Sequence, residues 1–205
     1  MKHPMFLSFL GYRAEEQIYM FNVRAGSHNL TDPAPSEVEY EIEEIIVHPD
    51  YNAITIDNDI ALMKIRQTIV MTDEISEVCL PEQGEMHVHG DEAWATGWGT
   101  SMGTADNRAL QQVMLPFVDN TICNTIHEGE VTENMLCAGY IDGHYDTCSG
   151  DSGGPLVRQD PVTLKWVLYG LTSWGYGCAD QMSPGVYTKV SNYVNWVNQK
   201  MYQNP

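Results

Sequence analysis

The chain has 205 residues, 43% hydrophobic and 10% aromatic, enough to bury a core in one domain or in two small barrels sharing an interface, which excludes a disordered chain. Its 28 acidic and 10 basic residues give a net charge of −18, which repels phosphate backbones and anionic head groups and excludes nucleic acid and membrane surfaces as partners. Such a surface steers cations, including peptides rich in Lys and Arg, only at long range, and that effect assigns no function. No stretch approaches the roughly 18 apolar residues of a transmembrane helix.

At the N-terminus, Met1-Lys2 followed by Met5 to Leu10 has the outline of a signal peptide, but the apolar run is too short and has no small-residue cleavage site. Residues 37–47 alternate strictly at first, so a strand is predicted with Val38, Tyr40 and Ile42 on one side and Glu37, Glu39, Glu41 and Glu43 on a solvated face. His48-Pro49-Asp50-Tyr51-Asn52 breaks it, because proline has no N–H to donate to a ladder, and a second apolar run follows from Ile60 to Ile65. Short strands are predicted at 92–97, 110–118, 154–158, 164–173 and 185–190. From Ser191 to Gln203, Tyr193, Val194, Val197 and Met201 recur at helical spacing, the one long helical pattern, and predict a docked C-terminal helix. Many short strands with one helix predict an all-β sandwich or barrel. No repeat or Pro-rich linker divides the chain.

The five cysteines, Cys79, Cys123, Cys137, Cys148 and Cys178, lie in no metal-binding spacing, so a disulfide framework with one thiol left over is expected, and with it an oxidising compartment. Cys148-Ser149-Gly150-Asp151-Ser152-Gly153-Gly154-Pro155 is the most specific segment. A nucleophilic hydroxyl must project from a tight turn that backbone can approach, and a tetrahedral oxyanion needs unobstructed N–H donors, which Gly150 and Ser152 could supply. Taken alone, a G-x-S-x-G match is read equally well as a glycine-rich turn with an incidental serine.

Chain order separates the serine hydrolase architectures. An α/β-hydrolase needs a histidine after its serine, yet the last histidine is His144. A subtilisin-like reading of Gly99-Thr100-Ser101-Met102 fails because Gly103-Thr104-Ala105-Asp106 offers a loop where a helix is required. The order histidine, acid, serine remains, and Asp57-Asn58-Asp59-Ile60-Ala61-Leu62 provides the acid at the mouth of a buried strand.

The segments around Asp59, Trp94-Ala95-Thr96-Gly97-Trp98-Gly99, Cys137-Ala138-Gly139-Tyr140, Ser152 and Ser173-Trp174-Gly175 together resemble the trypsin/chymotrypsin family over roughly residues 18 to 205. The resemblance implies a chymotrypsin-like double β-barrel with the site in the cleft, its first barrel incomplete here, and a C-terminal α-helix. It divides the peptidase domain 1–205 into an unmatched stretch 1–17, a remnant of the first barrel 18–92, and a second barrel with the helix, 93–205. It implies Ser152 as nucleophile, Asp59 as the residue that orients histidine, and the disulfides Cys123 to Cys137 and Cys148 to Cys178, each worth about 3 kcal/mol in the loop-entropy model. A third family disulfide would join the positions of Ala93 and Arg158, and Cys79 resembles a cysteine that ties many relatives to an N-terminal pro-segment. Asp146 stands where trypsin-like members place the base of the specificity pocket, with Ser173, Trp174, Gly175 and Gly185 on its walls. An unpartnered buried carboxylate selects Arg or Lys in the substrate.

The resemblance also shows what these residues lack. The family carries its histidine in an Ala-Ala-His-Cys segment before the strand that matches Tyr19 to Ala25, and no such segment is present. Upstream of Asp59 stand only His3, His28 and His48, each expected on the surface; nor is there an Ile-Val-Gly-Gly start whose amine would pair with Asp151. The expected function is therefore a secreted, trypsin-like serine endopeptidase (a hydrolase) that is inactive as written. The alternative is a non-catalytic homologue serving as an extracellular binding module. Retention of Ser152, Asp59 and Asp146 favours the first. Expected partners are protein or peptide substrates with Arg or Lys, and protease inhibitors. No cofactor is expected and no metal: residues 27–37 match the family's calcium loop in length, but Ser27 and Ala34 replace two carboxylates and leave only Asn29, Asp32 and Glu37. Asn29-Leu30-Thr31 on that loop is a glycosylation sequon.

Overall fold

A computed structural model describes residues 5–7, 18–101 and 108–204. Among the described residues ten strands form two sheets. β1 (Met5–Leu7), β2 (Asn22–Ala25), β3 (Val38–Val47) and β4 (Ala61–Ile65) make an open antiparallel sheet in the order β1-β4-β3-β2. β5 (Glu92–Gly97), β6 (Gln111–Val118), β7 (Met135–Ala138), β8 (Pro155–Gln159), β9 (Trp166–Trp174) and β10 (Gly185–Lys189) close into a barrel in the order β10-β7-β6-β5-β8-β9. The described residues also form two α-helices, α1 (Asn120–Ile126) and α2 (Val194–Gln203). A closed six-stranded barrel beside an open sheet, with a C-terminal helix, is a chymotrypsin-like arrangement whose first barrel is incomplete among the described residues.

The barrel interior is filled by Ala93, Ala95, Leu115, Phe117, Leu136, Leu156, Tyr169 and Tyr187, all buried. Val23, Tyr40, Ile42, Ile45, Met63 and Ile65 cover one face of the sheet. The two halves meet through Ile60 and Leu62 from the sheet, Leu168 and Leu171 from β9, and Val190, Tyr193 and Val197 from the C-terminal segment. This shared cluster fixes Asp59, next to Ile60, against the barrel.

Several expectations are corrected. β3 keeps strict alternation only as far as Ile42, because a register irregularity between Ile42 and Glu44 lets Ile45 rejoin the core face. Val38, expected inside, is 41% exposed, while Glu37, expected in solvent, has a side chain only 9% exposed and pairs with Arg24 at 3.0 Å. A second helix exists. Asp119 caps α1, its Oδ1 accepting from the N–H groups of Thr121 (2.8 Å) and Ile122 (3.2 Å). The C-terminal helix begins at Val194 behind a 3-10 turn at Val190–Asn192, and Met201, expected on its docked face, is 39% exposed.

Cys123 of α1 is bonded to Cys137 of β7, and Cys148 to Cys178; Cys79 is a half-buried free thiol. Residue 79 is held by its backbone, since its N–H donates to Trp166 O and its carbonyl accepts from Leu168 N–H. Arg158, on the face of β8 that carries Leu156, pairs with Asp91 at 2.6 Å beside the buried Ala93. Among the described residues no helix is long and apolar enough to cross a membrane.

Candidate active site

Ser152 sits exposed at the tip of the turn that leads into β8. Both ends of the turn are fastened. Asp151 N–H donates to Cys148 O and Gly154 N–H to Asp151 O, while Gly153 and Gly154 exchange hydrogen bonds with Thr172 of β9 at 2.8 and 2.9 Å. Gly150 (φ +99°) and Gly153 (φ +78°) take the left-handed conformations that glycine permits. A Cβ at Gly150 would come within 3.0 Å of Gly99 Cα, so the backbones of two loops touch there.

The Asp151 carboxylate braces this turn from below. Its Oδ1 accepts from Gly99 N–H at 2.8 Å and its Oδ2 from Cys148 N–H at 3.0 Å. Gly97 and Gly99 make room for it: a Cβ on either would strike the carboxylate at 2.0 to 2.6 Å. Alternate glycines in Gly97-Trp98-Gly99 are therefore the sequence trace of a cradle for Asp151.

Asp59, 1% exposed, lies two residues before β4. Its Oδ2 accepts from Ser173 Oγ at 2.6 Å, and its carbonyl oxygen from Thr188 Oγ1 at 2.7 Å, so β9 and β10 of the barrel both hold an acid that belongs to the sheet. The preceding Asn58, at φ +55°, accepts from Tyr193 OH and donates to Asp50 O, which fixes the turn that presents Asp59.

One pocket is lined by Ser152, Asp146, Ser173, Trp174, Gly175 and Gly185, among others, and no histidine among the described residues lines it. Gly175 and Gly185 face each other, a Cβ on Gly175 lying 3.9 Å from Gly185 Cα, and a Cβ on Gly185 would come within 2.9 Å of Asp146 Oδ1. Side chains there would narrow the pocket above the acid. Asp146 accepts from Thr147 N–H (2.8 Å) and more loosely from Ala179 N–H (3.3 Å). Burial outweighs these two donors and raises its pKa to about 6, with Asp151 and Asp180 adding repulsion.

The described histidines have other contacts. His48 is half-buried rather than on the surface, its ring against Tyr193 and Trp196, and this burial lowers its pKa. His28 is exposed, and its carbonyl accepts from Trp98 Nε1. His87 packs on Phe117, His89 accepts from Asp119 N–H, and His144 lies 3.6 Å from Asp142 on the surface. His3 lies outside the described residues, as do residues 102–107, where a loop was expected after Ser101.

The sequence reading missed His127. It is 1% exposed, donates from Nε2 to Pro184 O at 3.0 Å, and stacks edge-on against Trp174 and obliquely against Tyr176. A carbonyl can only accept, so the Nε2–H tautomer is fixed. Through those contacts His127 joins the two pocket walls, 173–175 and 184–185. Asn29, Asp32 and Glu37 of the expected cation loop have separate engagements: Asn29 Oδ1 accepts from Thr31, Asp32 is exposed, and Glu37 pairs with Arg24.

A closed barrel joined to an open sheet, with a serine-bearing turn and a buried aspartate at the seam, defines the chymotrypsin-like class of serine hydrolase domains. A profile of the family described as Trypsin matches residues 14–197. The trypsin of Sus scrofa is 39% identical over 184 residues, 89% of this chain and 76% of that protein, and cationic trypsin-3 of Rattus norvegicus is 39% identical over 184 residues, 89% and 71%. Transmembrane protease serine 5 of Homo sapiens is 39% identical over 184 residues, 87% of this chain and 39% of that protein. The chain belongs to the trypsin family of serine endopeptidases.

Proposed function

We propose that this chain carries the nucleophile, the acid and the specificity pocket of a secreted endopeptidase that cleaves after Arg or Lys through an acyl-enzyme on Ser152. The observation that carries the reading is that exposed Ser152 and half-buried Asp146 open onto one pocket, beside the Ser173 to Asp59 hydrogen bond. A substrate guanidinium or ammonium at the base would meet Asp146, whose desolvation in the free pocket is relieved by a cation. The N–H groups of Gly150 and Ser152 would receive the oxyanion. Asp59 would hold the imidazole of a catalytic base in its working tautomer. Residues 18–92 would then be the first-barrel part of the domain and 93–205 the second barrel with its helix.

Among the described residues no histidine lines the Ser152 pocket, so none of them stands where it could take the serine proton. Removal of a triad member leaves only about 10³–10⁴-fold acceleration over water. The chain by itself should therefore bind arginine-like cations without turning over. That same observation favours a second reading, a secreted binding module that captures basic peptides or protease inhibitors.

The test combines three measurements on the 205-residue chain: binding of an aromatic amidine, hydrolysis of an arginine ester, and labelling of Ser152 by a phosphonylating reagent. Amidine binding that is lost in Asp146→Ser, with neither hydrolysis nor labelling, is the expected result. Robust ester turnover would overturn the inactivity, and amidine binding unchanged in Asp146→Ser would overturn the specificity.

A further inference from the structure

The loop between β2 and β3 contains Asn29-Leu30-Thr31, the single Asn-X-Ser/Thr sequence in the 205 residues. Leu30 is not proline, and residue 32 is Asp, so nothing beside the motif blocks it. We propose that Asn29 is an N-glycosylation site of the folded, secreted protein, its glycan standing at the seam between sheet and barrel. The proposal goes beyond the endopeptidase reading and shares with it only passage through the secretory compartment.

Three features of the folded loop carry it. First, Asn29 forms a tight turn with its own sequon: Oδ1 accepts from Thr31 N–H at 3.0 Å and from Thr31 Oγ1 at 3.1 Å. Second, both hydrogen bonds use the amide oxygen, and among the described residues Nδ2 donates to no protein acceptor. Glycosylation replaces one hydrogen on Nδ2 and leaves Oδ1 as an acceptor, so the turn survives modification intact. Third, the motif reaches the surface, with Asn29 itself half-buried. Thr31 and Asp32 are exposed and Leu30 is 46% exposed, an apolar side chain that a glycan would screen.

The backbone around Asn29 faces the other half of the molecule. Asn29 bridges Ala109, Leu30 N–H donates to Arg108 O at 2.9 Å, and Leu110 N–H donates to His28 O at 2.7 Å. The loop is thus fastened by its main chain, with Thr31 and Asp32 left exposed at its outer side. In the reaction the Nδ2–C1 bond forms as the C1–O bond of a lipid-diphosphate-linked oligosaccharide breaks. The lipid diphosphate leaves with the displaced amide proton.

The experiment translates the full chain behind a cleavable secretory leader in the presence of endoplasmic-reticulum microsomes and examines the protease-protected product. The leader imposes translocation, so the outcome is independent of the endopeptidase reading and of native location. The expected result is one mobility shift, removed by a peptide N-glycosidase, absent in Asn29→Gln and Thr31→Ala, and kept in Thr31→Ser. A protected product without the shift overturns the proposal, and so does a shift that persists in Asn29→Gln. Formation of the two disulfides in Asn29→Gln would show that its missing shift is not a failure to fold.

Discussion

Ser173 Oγ lies 2.6 Å from Asp59 Oδ2, a hydrogen bond from the closed barrel to a buried acid of the open sheet. It ties the wall of the Ser152 pocket to the segment that leads into β4. Ser173→Ala would leave a carboxylate oxygen buried with one donor fewer, at a cost of about 1–3 kcal/mol. Urea unfolding should show the midpoint fall accordingly, and Ser173→Thr, which keeps a hydroxyl at the same position, should recover part of the loss. Equal stability of all three forms would show that this contact does not couple the two halves.

Much of this was legible along the chain because strand signals are local. Period-two alternation and Gly, Pro and Asn punctuation mark β3 to β6 and β8 to β10 within a residue or two. α1 and β7 were missed for a physical reason. A seven-residue helix is just under two turns, too short to repeat a hydrophobic period, and Met135–Ala138 is buried at every position, so it does not alternate. His127 was equally silent, because what makes it a cross-tie is Pro184, 57 residues away, and nothing in its own neighbourhood marks burial. The Ser152 and Asp146 segments stand out because tight turns and pocket walls require glycines at fixed offsets. The link from Ser173 to Asp59 spans 114 residues and needed the fold.

The barrel has room for a third bridge. β5 and β8 pair Trp94 with Val157 and Ala95 with Leu156, so the next opposed pair is Ala93 and Arg158, with both side chains on the face that holds Leu156. Thiol labelling of the denatured, unreduced chain should find one group, Cys79, beside the two disulfides. The double variant Ala93→Cys, Arg158→Cys should still show one. Closing the loop should add up to about 4 kcal/mol in the chain-entropy model, less the lost ion pair with Asp91. Three labelled thiols in the variant would mean that the two strands do not face each other at this register.

His127 should matter to ligand binding more than to folding. His127→Phe keeps an aromatic ring against Trp174 and Tyr176 but leaves Pro184 O without its donor, a loss of about 1 kcal/mol or somewhat more in urea unfolding. Amidine affinity should fall by roughly tenfold, because the 184–185 wall is no longer tied to 173–175. An unchanged affinity together with reduced stability would make His127 a plain packing residue.

Asp146 gives the sharpest dependence on pH. Burial raises its pKa from an ordinary 3.8 to about 6, so between those values the folded chain holds a proton that the unfolded chain has released. Stability must then fall as pH rises through that window and remain lower above it, because ionised Asp146 sits in a poorly solvated pocket. Asp146→Asn should remove this slope: it should match the parent below pH 3.8, where Asp146 is mostly neutral folded or unfolded, and exceed it in urea resistance at pH 7. Ligand binding should run the other way. An amidinium needs the ionised acid, so its affinity for the parent should be constant above about pH 6 and weaken by roughly tenfold per pH unit below it. In Asp146→Asn the affinity should be lower by on the order of a hundredfold and independent of pH over the same range. The opposed signs are diagnostic, since a structural carboxylate would show the stability slope without the binding one. An amidine affinity that stays level down to pH 4, or an Asn variant less stable than the parent at pH 7, would remove Asp146 from the base of the pocket.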